Sequence, residues 1–457
     1  MFTLRKYKIH TLVGFTLLCY FLFAYFLERT QFTWLVTLWS ILFTSSYFLI
    51  KYRKNDFSFL ASISILFRLA FLFSIPNLSQ DFYRFIWDGR MLFEGLNPYL
   101  SLPQNFIEQR IYPIHQATEL YQGMGEMNGS HYTNYPPINQ LCFFIAGVLA
   151  NKSILGSVII MRLLIIAADI GILFYGKKLL TKLNIPVHNI FLYILNPFVI
   201  IELTGNLHFE PVMLFFLVLS LYKLHQKKWV IAAVLLAFSV SVKLIPLLFL
   251  PLFYQYFVKN EATFFQGAKK LIGFYLITLV TTFLLFLPFF SFEFIQNYSN
   301  SVGLWFRNFE FNASIYYIAR EIGYLFRGYN EIATIGKIMP ALTVLFLLYI
   351  TFLKKGKTIK ELCAIMLFGL SFYYFTSTTV HPWYLSTLII LSVFANYRFP
   401  IVWSFVIIIS YQAYANVPWK ENLWLVFLEY ILLYTFLIFE IKYSPENAKR
   451  KLTSIFK

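Results

Sequence analysis

Unbroken apolar stretches recur along almost the whole chain, and they limit its fold more than any other feature of the sequence. Each is near the ~20 residues that a helix needs to cross a hydrocarbon layer of ~30 Å. Inside such a layer every backbone N–H and C=O must be satisfied within the protein, so only helices and closed barrels span it. A barrel strand would alternate polar and apolar residues over about ten positions, and these blocks do not alternate. Of the 457 residues 59% are hydrophobic and 13% charged, whereas a soluble domain carries about 25% charged residues. The sequence therefore specifies an all-α polytopic membrane protein rather than a cytosolic globule, with about 13–14 transmembrane helices at one per block.

The blocks lie near 10–27, 31–50, 58–76, 154–175, 186–203, 208–224, 229–245, 246–258, 270–291, 333–353, 360–377, 383–397, 399–416 and 422–441. A further block at 136–150 either crosses or dips in from one side. No segment is long enough to fold as a separate soluble domain and no internal repeat is visible, so residues 1–457 read as a single integral-membrane domain. The first block is followed by more membrane and lacks a small-residue cleavage site, which makes it a span rather than a removable signal. Cys19, Cys142 and Cys363 all lie in apolar segments, so neither a disulfide framework nor a zinc site is expected.

The net charge is +17, but the basic residues sit in short clusters between apolar blocks. That pattern sets membrane topology, and no nucleic-acid partner is expected. With the N-terminus inside and 136–150 dipping, 25 of the 38 Lys and Arg residues fall in inner loops and nine in outer ones. The expected setting is a bacterial inner or plasma membrane, with the functional face toward the periplasm or exterior. Most outer cations are arginines (Arg29, Arg84, Arg90, Arg110, Arg307, Arg320, Arg327), whereas the inner loops carry 21 lysines and four arginines. Arginine's planar fork suits bidentate contact with phosphate; sampling noise and amphipathic loops would explain the bias equally well.

Two outer loops are long, 77–135 and 292–332, and two are short but dense in polar residues, 204–210 and 378–384. All four fall on one side under this topology, and that convergence is the main functional signal. The chain has four aspartates, of which Asp81 and Asp88 lie in the first long loop. On a helix Asp81, Arg84 and Asp88 share a face, with the two carboxylates about 10 Å apart along the axis, too far to share a proton. Asp81 stands where a span gives way to an interfacial helix. It can accept a hydroxyl proton there, bind a metal ion, or simply stabilise the first helical turn by about 0.3–1 kcal/mol. Glu94-Gly95 followed by Asn97-Pro98 reads as a helix stop.

Lys243 falls inside an apolar block, where a charge faces a cavity or a partner unless it snorkels to the interface. Asn206, His208 and Glu210 form a polar turn that either binds sugar hydroxyls or caps the next helix. A divalent cation held by His208, Glu210 and His381 stays open, although no metal-site spacing supports it. His381, Trp383 and Tyr384 serve as a sugar platform or as part of an aromatic belt. Tyr135, with His131 and Tyr132, closes the same cavity. For Arg68 and Asp169, each inside a span, intramembrane pairing is the expectation.

Asp81-Phe82-Tyr83, Asp88, Arg90, Glu94-Gly95 and Pro98-Tyr99 resemble the first outer loop of GT-C glycosyltransferases. The likeness is in particular to polyprenol-phosphate-mannose-dependent mannosyltransferases, among them the catalytic subunit of GPI mannosyltransferase I and its bacterial relatives. Tyr135-Pro136-Pro137, Asn196-Pro197, Gly205-Asn206 with His208 and Glu210, Val242-Lys243 with Pro246, and Trp383-Tyr384-Leu385 follow in that family's order, so the resemblance spans residues 75–390. It implies a GT-C-like fold with amphipathic interfacial helices in the first long outer loop, a lumenal or periplasmic active site, an inverting transfer and a bilayer-embedded lipid-phosphate-sugar donor. It also implies an acidic base in the first outer loop, which maps onto Asp81. Eukaryotic relatives carry an Asp-x-Asp pair where this chain has Ser79-Gln80-Asp81, so a lone base is the simpler inference than a metal-bridging pair.

Inverting transfer needs a base within about 2.6–3.2 Å of the attacking hydroxyl and cations to meet the departing phosphate. The expected reaction moves a hexose, mannose first, from a polyprenyl-phosphate donor to a hydroxyl of a lipid- or glycan-linked acceptor. Asp81 is the expected base. Arg84, Arg90, Arg307 and Lys243 would hold phosphate, and Asp88, Tyr135, Asn206, His208, Glu210, His381, Trp383 and Tyr384 would line the substrate site. No cofactor is expected beyond the open divalent cation, and membrane lipid is the remaining partner. The alternatives are a flippase or transporter of lipid-linked glycans, with charges along a through-path, and a non-catalytic membrane subunit that binds no donor.

Overall fold

The structure, a computed structural model, describes residues 2–307 and 309–443, with the side chains of 8–303 and 309–443. Among these residues the regular structure is helical, apart from one isolated parallel bridge between Phe311 and Thr379. Seven helices are long and apolar enough to cross a membrane: Lys8–Phe26, Phe32–Arg53, Ile154–Lys182, Phe264–Phe289, Ile332–Leu353, Ile359–Thr376 and Leu423–Tyr443. The chain is thus a multi-pass membrane protein.

The other apolar blocks are shorter or broken helices, so the expected crossings are far from equal in form. The block at 186–203 becomes Val187–Ile194 and Val199–Gly205, bent by 57°. Proline lacks an N–H and clashes with the preceding turn, and Asn196-Pro197 sits at the break. The Asn196 side chain accepts from the Phe198 N–H at 3.0 Å and donates to Ser404 Oγ at 2.9 Å. Pro246 and Pro251 likewise leave Ile245–Phe253 as a 3₁₀ helix. Its greater rise, about 2.0 Å per residue, stretches a block that would be short as an α-helix.

Two buried arginines organise the interior. Arg68 pairs with Asp169 at 2.8 Å and also donates to the carbonyls of Ser64 and Ile194. Arg162 donates to the carbonyls of Thr204, Leu72, Ser74 and Gly205 at 2.8–3.0 Å. The segments leading to Asp81 and to Glu210 therefore leave from one point.

The helix Asp81–Phe93 ends as the sequence anticipates: Gly95 takes φ +75°, the left-handed state glycine adopts without a Cβ penalty. It crosses the helix Pro137–Ala150 at backbone contact. A Cβ on Gly89 would meet the Phe143 carbonyl oxygen at 2.2 Å, and one on Gly147 the Gly89 carbonyl oxygen at 2.6 Å. Phe85 and Phe143 stack beside this crossing at 4.7 Å. The helix Pro137–Ala150 is tied to a neighbour at its start and is followed closely by the helix Ile154–Lys182. Its Ile138 N–H donates to Ser241, next to Lys243, while three residues lead from its other end into the helix whose Arg162 reaches Leu72 and Thr204. At 14 residues, about 21 Å, Pro137–Ala150 is shorter than the seven long spans.

Gly89→Ala is expected to destabilise the protein by about 1–3 kcal/mol through overpacking and to depress activity, because Asp81 heads the same helix. Gly14→Ala, which meets open space, is the control. Thermal unfolding in detergent checks both, and equal midpoints would refute the tight crossing.

Candidate active site

Asp81 is the first residue of the helix Asp81–Phe93 and is half-buried. Its carboxylate accepts from Asn128 Nδ2 at 3.3 Å. Burial raises its pKa above the ordinary aspartate value, against the lowering effects of the Asn128 hydrogen bond and the Lys243 charge. Glu210 opens the next helix at this end, Glu210–His225, with Pro211 behind it; both are favoured in a first turn. Lys243 follows the helix Trp229–Val240, forms an ion pair with the buried Glu210, and holds its ammonium 5.1 Å from the centre of the Tyr384 ring. Trp383 stacks against His208 at 3.9 Å and His381 at 4.5 Å. Burial, followed by the Lys243 charge, pushes the His381 imidazole down to about 3, so this ring is neutral at physiological pH.

Two large cavities meet here. An apolar groove of about 430 Å³ runs past Leu248, Met339 and Val344. A more polar cavity of about 370 Å³ contains Asp81, Asn128, His381 and Trp383. Asn134, Tyr135, Lys243 and Tyr384 border both. A small pocket of about 30 Å³ lies among Asp81, Tyr135, His208, Glu210, Lys243 and Trp383. Eight of the expected site residues are thus brought together: Asp81, Tyr135, His208, Glu210, Lys243, His381, Trp383 and Tyr384.

Four others are not. Arg84 donates to Asp88 at 2.8 Å and to the carbonyls of Asn128 and His131. Asp88 also accepts from Gln140, and Arg90 donates to the His115 carbonyl and to Gln116. Asn206 accepts from the Leu78 N–H at 3.1 Å. All four are buried and border none of these cavities. Arg84, Asp88 and Arg90 thus spend their hydrogen bonds bracing the Asp81–Phe93 helix against neighbouring elements, and Asn206 braces the connection that precedes Asp81. The side chain of Arg307 lies outside the described residues. Among the described residues no three His, Cys, Asp or Glu side chains gather as ligands for a metal ion.

Arg29, Tyr411, Tyr414 and Trp419 also line the polar cavity. Arg29 belongs to the outer-arginine bias, which could have singled it out. The three aromatics sit in no motif, and only the packing of the last helices brings them in.

A family model described as alpha-(1->6)-mannopyranosyltransferase, N-terminal domain, matches residues 12–259. The match contains Asp81, Tyr135, His208, Glu210 and Lys243, while His381, Trp383 and Tyr384 lie beyond it. Among curated proteins, none matches the chain.

Glu210→Gln and Lys243→Met should each lower the unfolding midpoint, and the double variant should recover part of the loss. The expected coupling is about 1 kcal/mol, modest because the ammonium is half-exposed. A double-mutant cycle by denaturant unfolding measures it; strictly additive losses would rule out the pair.

Proposed function

The chain belongs to the alpha-(1->6)-mannopyranosyltransferase family, whose members are glycosyltransferases, and we propose that it moves mannose from a polyprenyl-phosphate donor to a hydroxyl of a lipid- or glycan-linked acceptor. One observation carries this reading: a carboxylate and an ammonium stand where an apolar groove opens into a polar cavity. The groove suits a prenyl chain lying in the bilayer, which brings its phosphate to Lys243 at the junction. The polar cavity then receives the acceptor, with Trp383 as an aromatic wall for a pyranose.

In the proposed step Asp81 takes the proton from the acceptor hydroxyl as its oxygen bonds to C1 of the mannose. The C1–O bond to phosphate breaks, and the phosphate leaves with the electron pair. Lys243 meets the charge gathering on the leaving group, an electrostatic role that is strong in a water-poor site. Glu210 holds the ammonium in place, and Tyr135 and Tyr384 flank it. A single displacement inverts the anomeric centre, so an α-linked product calls for a β-linked donor. The site is assigned to the extracytoplasmic face on the distribution of Lys and Arg, and a GT-C-type mechanism without a cofactor is part of the same proposal. A transporter of lipid-linked glycans would need charges along a path through the bundle; Arg68, Asp169 and Arg162 instead spend their hydrogen bonds on neighbouring helices.

Asp81→Asn should lower kcat by about 10²–10⁴-fold, the usual share of a general base, with folding retained. Release of labelled mannose from the lipid donor in proteoliposomes reads this out, and a wild-type rate would remove Asp81 from the mechanism. The base works only when ionised, and burial raises its pKa. Activity should therefore fall on acidification at a pH above the ordinary aspartate value, about 3.9. A pH–kcat/KM profile locates that limb.

A further inference from the structure

The polar cavity holds a cation to which the reaction above gives no task. Arg29 sits on the connection between the first two helices, half-buried, and borders the polar cavity but not the apolar groove. Its Nη2 donates to Gln80 Oε1 at 3.2 Å, and its guanidinium carbon lies 4.8 Å from the centre of the Tyr414 ring. Gln80 in turn donates its Nε2 to the Met124 carbonyl at 3.1 Å, so its amide oxygen is turned to Arg29. The arginine is held in place beside the residue that precedes Asp81.

Its charge is met only from across the cavity, by the Asp81 carboxylate. Among the described residues no carboxylate forms an ion pair with Arg29, whereas Lys243 is paired with Glu210. Only one of its five N–H donors is spent, on a neutral amide. Guanidinium stays charged at any working pH and presents a fork that fits carboxylate or phosphate. When Asp81 takes the acceptor's proton it becomes neutral, which leaves Arg29 the uncompensated charge of the cavity. Tyr414 and Trp419, the latter 46% exposed, stand beside it as faces on which a sugar ring can lie.

We infer that Arg29 binds an anionic group, phosphate or carboxylate, carried by the acceptor glycan, and thereby selects charged acceptors over neutral ones. The donor phosphate belongs at Lys243, because the lipid groove opens there and does not reach Arg29. This assignment rests on the proposed transfer reaction and extends it to the class of acceptor.

The full-length protein in proteoliposomes, with a polyprenyl-phosphate-mannose donor, is given one mannobioside bearing a neutral alkyl tail, a phosphate-terminated tail or a carboxylate-terminated tail. The wild type should favour the anionic acceptors by about tenfold in kcat/KM. Arg29→Gln should bring that ratio close to one, and Arg29→Lys should restore part of it, with the change lodged in the KM of the acceptor. Equal use of all three acceptors by the wild type overturns the inference, and so does a change lodged in the donor KM, which would place Arg29 at the donor phosphate. Calorimetric binding of the phosphorylated mannobioside to purified protein separates this from a failure of the reaction itself. Binding about tenfold weaker in Arg29→Gln supports the anion site even without turnover, and unchanged binding refutes it.

Discussion

A guanidinium buried among helices holds together the end of this molecule that carries the candidate site. Among the described residues Arg162 has no carboxylate partner; it is neutralised by four carbonyls, of Leu72, Ser74, Thr204 and Gly205. These lie just beyond the helix Phe57–Leu69 and at the end of Val199–Gly205, where C=O groups lack intrahelical donors and carry partial negative charge. An arginine within a membrane helix costs about 2.5–3.5 kcal/mol or more, and charged hydrogen bonds contribute about 1.5–3 kcal/mol each. The four bonds therefore offset the cost of burying the charge. Because one side chain grips both connections, Asp81 and Glu210 begin their helices around the same small pocket.

Two carboxylates and one ammonium share that pocket, and geometry gives them different tasks. Glu210 takes Lys243 as its partner, while among the described residues Asp81 has the amide of Asn128 within hydrogen-bonding distance of its carboxylate. Burial then raises the pKa of Asp81. A pair of acids whose surroundings differ in this way is the usual means by which one acts as a base and the other as a fixed charge. The ion pair also keeps Lys243 at the junction of groove and cavity, where the proposed reaction needs its cation.

Much of the site was legible along the chain because its residues lie at the ends of apolar blocks. Asp81, Glu210, Lys243 and His381 each interrupt hydrophobic sequence, and a polar group at such a boundary needs a partner or a cavity. Helical periodicity misled at Arg84 and Asp88. A shared face says which residues lie together, not whether that face meets a ligand or another helix, and here it packs against Asn128, His131 and Gln140. Arg29 was visible only as one of several outer arginines; its placement beside the polar cavity comes from Gln80 and Tyr414, which approach it from distant parts of the chain.

Composition and the length of the apolar blocks alone dictated a helical multi-pass membrane protein, since hydrocarbon tolerates no unsatisfied backbone and barrel alternation is missing. The breaks at Asn196-Pro197 and the stop at Gly95 are equally local, because proline and glycine act through their own backbone. Tertiary structure alone decided which polar residues face the cavity, how closely the helices Asp81–Phe93 and Pro137–Ala150 cross, and that Lys243 pairs with Glu210. Those outcomes depend on backbone approach at Gly89 and on side chains meeting across distant helices, contacts that hydrophobic periodicity does not encode.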